Sequence, residues 1–303
     1  MVLAAGLGTR LRPLTNYIPK PLFPILNRPI LGRILDRLLP YFSNIVINTY
    51  HLSDHIYSFI NKNFANTRVS LIKEPQLLGT AGALKYAFKL GLLNKDSPLL
   101  VYNSDIITDF NPILLYKYHI EVSRKYGVLA TLLLHNYSKF NNILCNSSNK
   151  IIAFRINNPK CLAYTGIMVI EPEFIKSFIK DSPCDIIDIF SNAIRHGIKI
   201  KGVNITQLVN NYIWQDIGTI NGYLHAHKLL LTSKNKKIFI PAQLKSNKIK
   251  LIDWVCIGNN VIFNNKILLE IKRSVIWPNT KIDDNLKKIE DMLVTNIGIL
   301  KLK

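Results

Sequence analysis

Apolar, β-branched runs alternate with amphipathic segments through the first 120 residues of the chain. Three such runs have the composition of short buried strands: residues 45–49, 69–72 and 99–102. Between them, three segments carry apolar positions at helical spacing: residues 31–39, 54–63 and 81–90. This alternation predicts an α/β fold with a mostly parallel sheet flanked by helices on both faces.

The same pattern continues to about residue 231. Further strands are predicted at residues 128–134, 166–170 and 198–203, and a helix at about 221–231. Three turns directly follow predicted strands, at residues 6–12, 74–82 and 103–109. Because sheets of this kind bind ligands at the carboxyl ends of their strands, we expect these turns to line a ligand site.

The C-terminal part of the chain has a different pattern. Residues 233–237 and 245–250 are polar and basic and indicate a boundary region. Beyond them, a weak six-residue period gives IGNNVI and FNNKIL from Ile257, then IWPNTK and IDDNLK from Ile276. This period predicts coils of a short parallel β-helix, with ordinary antiparallel strands as the alternative. We therefore expect a domain at residues 1–232, and a linker with a hexapeptide-type β-helix at residues 233–303.

Composition narrows the class of protein. With 48% hydrophobic and 19% charged residues, the chain has the balance of a folded soluble protein. Its net charge of +20 is spread along the chain without a block of like charges, so we expect no nucleic-acid partner. The positive electrostatic field favours the binding of small anionic substrates. No apolar run is long enough to span a membrane, the start does not fit a secretory signal, and the four cysteines form no CxxC pair. These features predict a cytoplasmic protein without a membrane partner.

The first fifteen residues, MVLAAGLGTRLRPLT, carry the strongest chemical signal. Gly6 and Gly8 follow an apolar run, and Arg10 lies two residues after Gly8, so a bare backbone and a guanidinium are available to hold phosphate. A P-loop is absent from the sequence, and the third glycine of a dinucleotide fingerprint is replaced by Leu11. A second cation, Lys20, lies between two prolines that restrict the backbone on each side. The pattern indicates phosphate chemistry other than hydride transfer.

Six motifs, in this order, resemble those of the sugar-1-phosphate nucleotidyltransferases: LAAGLGTRLRPLT, PKPL, LGTAGALKYA, NSD, YTGIMVI and WQDIGT. They span nearly all of residues 1–232. The resemblance implies a Rossmann-like catalytic domain, and the C-terminal hexads resemble the left-handed β-helix of many members. The implied reaction is attack of a sugar-1-phosphate oxygen on the α-phosphorus of an NTP, with release of pyrophosphate.

The resemblance also implies roles for individual residues. The catalytic group would be Arg10 and Lys20, which neutralise the phosphates, and Asp105 and Asp216, which hold Mg²⁺. The implied nucleotide-binding residues are Leu3, Ala4, Ala5, Gly6, Gly8, Thr9, Arg10, Glu74, Gly79 and Thr80. The implied sugar-binding residues are Asn103, Thr165 and Gly166.

The identity of the base and sugar is less constrained. A carboxylate at Glu74 accepting from guanine N1–H and N2–H would favour GTP, and mannose-1-phosphate is the usual partner of guanylyl transfer in the family. The product would be GDP-mannose. A uridylyltransferase for N-acetylmuramate- or glucose-1-phosphate is one alternative. A regulatory subunit that binds nucleotide-sugar without turnover is another, and in either case the hexads are expected to mediate packing or homo-oligomer formation.

The sequence departs from the family pattern in two places. Ser104 stands where a glycine commonly precedes the metal-binding aspartate, and a positive φ there would strain the backbone. The chain also begins only a few residues before Gly6, so we expect either a brief first strand or a start that lies inside the true protein. Neither departure removes a charge that the chemistry needs.

Overall fold

A computed structural model describes residues 1–242, 244, 248–263, 268–283 and 286–301. Its helices are α1 Ile30–Leu38, α2 Ser53–Phe64, α3 Gly79–Lys89, α4 Pro112–Tyr126, α5 Pro172–Phe178, α6 Ile186–Arg195 and α7 Ile220–Thr232.

The strands begin with β1 Val2–Leu3, β2 Pro24–Ile25, β3 Arg28–Pro29, β4 Ile45–Thr49, β5 Val69–Lys73, β6 Leu99–Asn103, β7 Ile106–Thr108, β8 Ala130–His135, β9 Ile143–Cys145, β10 Ile151–Phe154 and β11 Ala163–Ile170. They continue with β12 Ile200–Asn204, β13 Trp214–Asp216, β14 Ile238–Phe239, β15 Ile249–Ile257, β16 Ile262–Phe263, β17 Leu269–Ile276, β18 Lys281–Ile282, β19 Lys288–Glu290, β20 Met292–Thr295 and β21 Gly298–Lys301.

The chain divides into two compact units that alternate along the sequence. The first unit comprises Met1–Gly6, Leu35–Ser104 and Asp109–Tyr212. The second comprises Leu7–Ile34, Asp105–Thr108 and Ile213–Lys303. Each contains its own sheet and its own apolar cluster.

A seven-stranded sheet in the order β12-β8-β11-β6-β1-β4-β5 forms the centre of the first unit. Only β11 pairs antiparallel with its neighbours, and the other pairs are parallel, which confirms the predicted mostly parallel sheet. β1 is two residues long.

Helices cover both faces of this sheet. Leu132 packs in an apolar cluster with residues of α3, α5 and α6, such as Leu84 and Phe190. The adjacent Thr131 contacts His119 of α4 through a side-chain hydrogen bond of 2.8 Å. Because neighbouring side chains of a strand point to opposite faces, α4 lies on the face opposite α3, α5 and α6.

The predicted elements agree with the observed ones to within about three residues at most ends, but some elements were missed. Helices α4 and α6, the β2–β3 and β9–β10 hairpins and the β7–β13 pair were not predicted, whereas the proline and acidic residues at 171–173 do indicate the start of α5. In α4, Asn111 caps the first turn and Gly127 ends the helix with φ +64°, so the local signals were present. The described part of the chain holds no helix of the length and apolarity needed to cross a bilayer.

The second unit contains α7, the β2–β3 hairpin, the antiparallel pair β7–β13 and the C-terminal strands. Successive C-terminal strands pair in parallel, for example Ile249 with Leu269 and Ile271 with Ile289. Among the described C-terminal strands, only the last pair, β20–β21, is antiparallel. The hexads IGNNVI and IWPNTK each run from the end of one such strand into a short neighbouring strand. The hexads FNNKIL and IDDNLK fall partly outside the described residues.

Candidate active site

Contacts within the second unit determine the backbone conformation of Gly8 in the opening motif. Its φ of +62° lies in the left-handed region, and an added Cβ would lie 2.8 Å from Thr15 Cγ2. The Thr15 hydroxyl donates to the Gly8 carbonyl at 3.0 Å, and the Leu11 amide donates to the same oxygen at 2.9 Å. The motif therefore turns sharply and leaves Thr9 and Arg10 exposed.

Lys20 begins a short 3₁₀ turn directly after Pro19, whose ψ of 140° keeps the preceding backbone extended. Its ammonium forms an ion pair of 2.7 Å with Asp105 Oδ2. The two side chains are 12% and 31% exposed, so the pair is largely removed from water yet remains accessible from one side. The ion pair therefore holds the Lys20 ammonium in one direction.

Asp105 and Asp216 come from positions 111 apart in sequence and are brought together by strand pairing. Asp105 directly precedes β7, and Asp216, the last residue of β13, is in register with Ile106. The Ile217 amide donates to the Asp105 carbonyl at 3.0 Å, extending the pairing by one residue. Two carboxylates predicted from separate motifs therefore lie at the same end of one two-stranded sheet.

Arg10 reaches the same place. A Cβ added to Gly218 would lie 2.9 Å from both Arg10 Cζ and Asp216 Oδ1, so the guanidinium and the carboxylate flank this glycine. Asp216 Oδ1 also accepts from the Gly218 amide at 2.7 Å. Gly218 is therefore required by close approach of side chains, since its φ is not in the left-handed region.

The pair of carboxylates fits a magnesium ion in the chemistry of its donors. Mg²⁺ takes oxygen ligands, keeps several waters, and is commonly held by one or two carboxylates together with substrate phosphates. The described residues contain no cluster of three or more His, Cys, Asp or Glu that would form an all-protein metal cage. Asp105 and Asp216 are accordingly the candidates for holding the ion.

Gln215 is a residue of this region that sequence reasoning missed. Its side-chain amide donates to the Asp216 carbonyl at 2.7 Å, and its Oε1 lies 2.7 Å from His225 Nδ1 of α7. Burial, followed by the nearby Lys228, lowers the pKa of His225. A polar side chain between Trp214 and Asp216 in the WQDIGT motif was the available signal.

The first unit holds the other predicted site residues, beginning at the end of β1. Leu3 is in parallel register with Asn103, so the end of β1 lies beside the end of β6. Ala4 and Ala5 are buried, and an added Cβ on Gly6 would meet no atom within 4 Å. The space beside the Gly6 Cα is thus free of neighbouring protein atoms among the described residues.

Ser104 fits where the family commonly has glycine. Its φ is not positive, so the strain considered above does not arise. Its amide donates to the Leu3 carbonyl at 3.1 Å, and its hydroxyl donates to the same oxygen. The serine therefore adds a bond between β1 and the segment leading to Asp105.

The Glu74 carboxylate is buried and hydrogen-bonded within the first unit. Its side chain is 3% exposed, and its two oxygens accept from Asn48 Nδ2 at 2.6 Å and from the Leu78 amide at 3.0 Å. Burial raises the pKa of Glu74, while the Asn48 and Leu78 bonds act in the opposite direction. The carboxylate is used inside the protein, and the expectation that it accepts from guanine loses its support.

Gly79 and Thr80 begin α3, where the local reason for glycine is also internal. Gly79 has φ +69°, and an added Cβ would lie 2.6 Å from the Cys184 carbonyl oxygen. The Cys184 amide donates to the Leu78 carbonyl at 3.0 Å, and the Ala81 amide donates back to Cys184 at 3.2 Å. Close approach of the segment at Cys184 therefore explains this glycine, while Thr80 remains half-exposed.

Thr165 and Gly166 lie at an irregularity in the pairing of β11 with β8. Thr165 is fully buried, and its hydroxyl donates to the Leu133 carbonyl at 2.9 Å. Gly166 is buried with φ +88°. The threonine side chain is thus a core group, and any contact with a sugar at this position would have to come from the backbone.

Comparison with known proteins places these observations in a family. Residues 1–233 match the family model described as Nucleotidyl transferase. The chain is 29% identical over 319 residues to the UTP--glucose-1-phosphate uridylyltransferase of Synechocystis sp., covering 97% of this chain and 77% of the relative. It is 30% identical over 265 residues to the mannose-1-phosphate guanyltransferase of Aspergillus fumigatus, covering 80% of this chain and 67% of the relative.

A solved structure supports the fold. The crystal structure of HddC from Yersinia pseudotuberculosis, complexed with GMP-PN, superposes with a TM-score of 0.60 at 22% sequence identity. The match covers 76% of this chain and 97% of that protein. The mixed α/β architecture, with its mostly parallel central sheet, is thus the one found in this structure.

Proposed function

The chain belongs to the sugar-1-phosphate nucleotidyltransferase family, whose members bind an NTP and a sugar-1-phosphate, and on that premise we propose that it makes GDP-mannose from GTP and mannose-1-phosphate, releasing pyrophosphate. One observation carries the proposal of an active enzyme. Two cations and two carboxylates from four separate motifs, Arg10, Lys20, Asp105 and Asp216, meet around β7 and β13. A silent relative has no chemical need to keep all four.

The reaction joins two anions, so the protein must neutralise charge and align the reacting atoms. Lys20, directed by its ion pair with Asp105, holds the phosphates at the reacting centre. Arg10 stabilises the negative charge of the departing pyrophosphate. Asp105 and Asp216 would hold Mg²⁺, which when bound supplies a positive charge that phosphates of both substrates share.

No side chain acts as a covalent nucleophile in this proposal. An oxygen of the sugar-1-phosphate forms the new bond to the α-phosphorus, and the bond from that phosphorus to the β-phosphate bridging oxygen breaks. The electron pair leaves with pyrophosphate. The backbone of residues 8–9, where Thr9 is exposed, supplies N–H donors to the triphosphate.

The preference for GTP and mannose-1-phosphate rests on the similarity to the Aspergillus guanyltransferase. Uridylyl transfer to glucose-1-phosphate is the second candidate, because the Synechocystis uridylyltransferase matches 97% of the chain. Glu74 does not favour either base, since its carboxylate is buried and internally bonded. The two candidates share the same phosphate chemistry and differ only in base and sugar.

We also propose that residues 1–232 are the catalytic domain and that the C-terminal strands form a short left-handed β-helix. The support is their parallel pairing at offsets of 17 to 20 residues, as in Ile238 with Val255, Val275 with Leu293 and Ile249 with Leu269. Three hexads make an 18-residue coil, so the offset agrees with the six-residue period. Self-association through these strands stays a prediction.

The test is pyrophosphate release with each of the four common NTPs against a panel of sugar-1-phosphates at saturating Mg²⁺. We expect release with GTP and mannose-1-phosphate, and loss of release in Asp216→Asn. The exposed Asp96→Asn serves as the matched control, with full activity expected. A preference for UTP would overturn the guanylyl assignment alone, whereas tight nucleotide-sugar binding with no release from any pair would support the silent regulatory subunit.

A further inference from the structure

A chain of buried hydrogen bonds in the first unit joins the end of β1 to the turn after β5. The Ala4 amide donates to Asn48 Oδ1 at 3.0 Å. Asn48 Nδ2 donates to Glu74 Oε1 at 2.6 Å, and the Leu78 amide donates to Glu74 Oε2 at 3.0 Å. Both side chains are 3% exposed, so water does not replace any of these bonds at low cost.

The polarity of this chain is fixed at both ends by backbone amides, which can only donate. Asn48 must therefore turn its oxygen toward Ala4, and this leaves its NH₂ group toward Glu74. Glu74 must present an acceptor to Asn48 and another to Leu78, which an ionised carboxylate does. One amide and one carboxylate in this order make all three hydrogen bonds of the chain.

The segments at the two ends are the ones to which the proposed function assigns the nucleotide. Ala4 opens the glycine-rich loop, and Leu78 directly precedes Gly79 at the start of α3. The backbone of the second segment is also held from the other side by Cys184, as described above. The side chains of Asn48 and Glu74 thus link two backbone segments to which the proposed function assigns nucleotide-binding groups.

We infer that Asn48 and Glu74 are positioning residues for the nucleotide, which act by holding the Ala4 and Leu78 segments in one arrangement and make no contact with the base. This inference rests on the proposed function. It predicts that a defect at either residue weakens every NTP by a similar factor, because the geometry of the site changes and base recognition does not.

Exchanging the two side-chain types tests the inference. In Glu74→Gln, one N–H of the new amide must face a donor, either Asn48 Nδ2 or the Leu78 amide. In Asn48→Asp, two buried carboxylates face each other. In the double variant Asn48→Asp/Glu74→Gln, the new carboxylate at position 48 accepts from the Ala4 amide and from the new side-chain amide at position 74. The oxygen of that side-chain amide accepts from the Leu78 amide. All three hydrogen bonds therefore form again, and only in the bond between positions 48 and 74 do donor and acceptor exchange places.

The measurements are the Kd of each NTP by equilibrium dialysis, kcat and KM for pyrophosphate release, and the urea midpoint of each variant. We expect each single variant to weaken GTP and UTP about tenfold or more, by the same factor, and the double variant to return to within about threefold of wild type. Glu121→Gln, at an exposed position of α4, is the control and should leave Kd unchanged.

Two results would overturn the inference. A change of about tenfold or more in the GTP-to-UTP ratio of Glu74→Gln would make Glu74 a base contact. A folded double variant that binds no better than the weaker single variant would show that the hydrogen-bond chain does not position the site. If a single variant fails to fold, recovery of folding and nucleotide binding in the double variant would support the inference, and a lack of recovery would contradict it. Wild-type protein that binds no NTP would instead refute the proposed function, while the urea midpoints still report whether residues 48 and 74 are coupled.

Discussion

In Gly218→Ala, a single added methyl group displaces Arg10 and so tests how much this residue contributes to activity. The added Cβ would lie 2.9 Å from both Arg10 Cζ and Asp216 Oδ1, and closer still to Arg10 Nη2. Ordinary carbon contacts are about 3.5–4.0 Å, so the guanidinium must move by roughly 1 Å. Because Gly218 has no positive φ, alanine introduces no backbone strain of its own.

The expected effects on activity and stability differ in size. A displacement of about 1 Å in a group that aligns reacting phosphates costs on the order of 10²-fold in kcat/KM. The free energy of unfolding should fall by less than about 1 kcal/mol, because the group displaced most is the end of an exposed, flexible side chain. Gly91→Ala provides the opposite control: its Cβ meets no atom, but its φ of +70° should cost about 1–2 kcal/mol of stability with no loss of activity.

A double-mutant cycle shows whether the loss passes through Arg10. The assay is pyrophosphate release under subsaturating substrate, with urea denaturation of each variant for stability. If the methyl group acts by displacing Arg10, Gly218→Ala should have little further effect in an Arg10→Ala background. Wild-type activity in Gly218→Ala, or fully additive losses, would refute the assignment of Arg10 to this site.

Three further predictions concern single residues. Asp105→Ala should lower the rate of pyrophosphate release by about 10³-fold or more. The free energy of unfolding should fall by only about 1–2 kcal/mol, because the ion pair of Asp105 with Lys20 is only partly buried. An active variant would refute the metal assignment. Tyr223→Phe should cost about 2 kcal/mol by urea denaturation with an unchanged m-value, because it removes the buried hydroxyl that accepts from the Trp277 indole at 2.8 Å. Burial lowers the pKa of His227 from 6.5 to about 4, so His227 takes up a proton at higher pH in the unfolded state than in the folded state. The free energy of unfolding, measured by urea denaturation, should therefore fall by about 3 kcal/mol between pH 6.5 and pH 4. His227→Gln should lack this part of the pH dependence.

Glu74 and Thr165 show where sequence reasoning about the site stopped. Glu74 was assigned to the base because it follows a predicted strand, and Thr165 was assigned to the sugar because it lies in the YTGIMVI motif. The structure buries both side chains and gives their oxygens partners inside the protein. The signal for Glu74 was a second polar residue, Asn48, inside a β-branched strand, but one sequence does not show which buried polar groups will meet.

The sequence by itself determined the alternation of strands and helices and the sharp turn at Gly8. These depend on neighbours a few residues away, so apolar periodicity and glycine placement were enough to predict them. Only the tertiary structure decided that Asp105 and Asp216 share one end of the β7–β13 pair and that Gly218 lies between Asp216 and Arg10. Such contacts join residues up to about two hundred positions apart, and they form because strands pair and side chains pack in three dimensions, which local patterns do not encode.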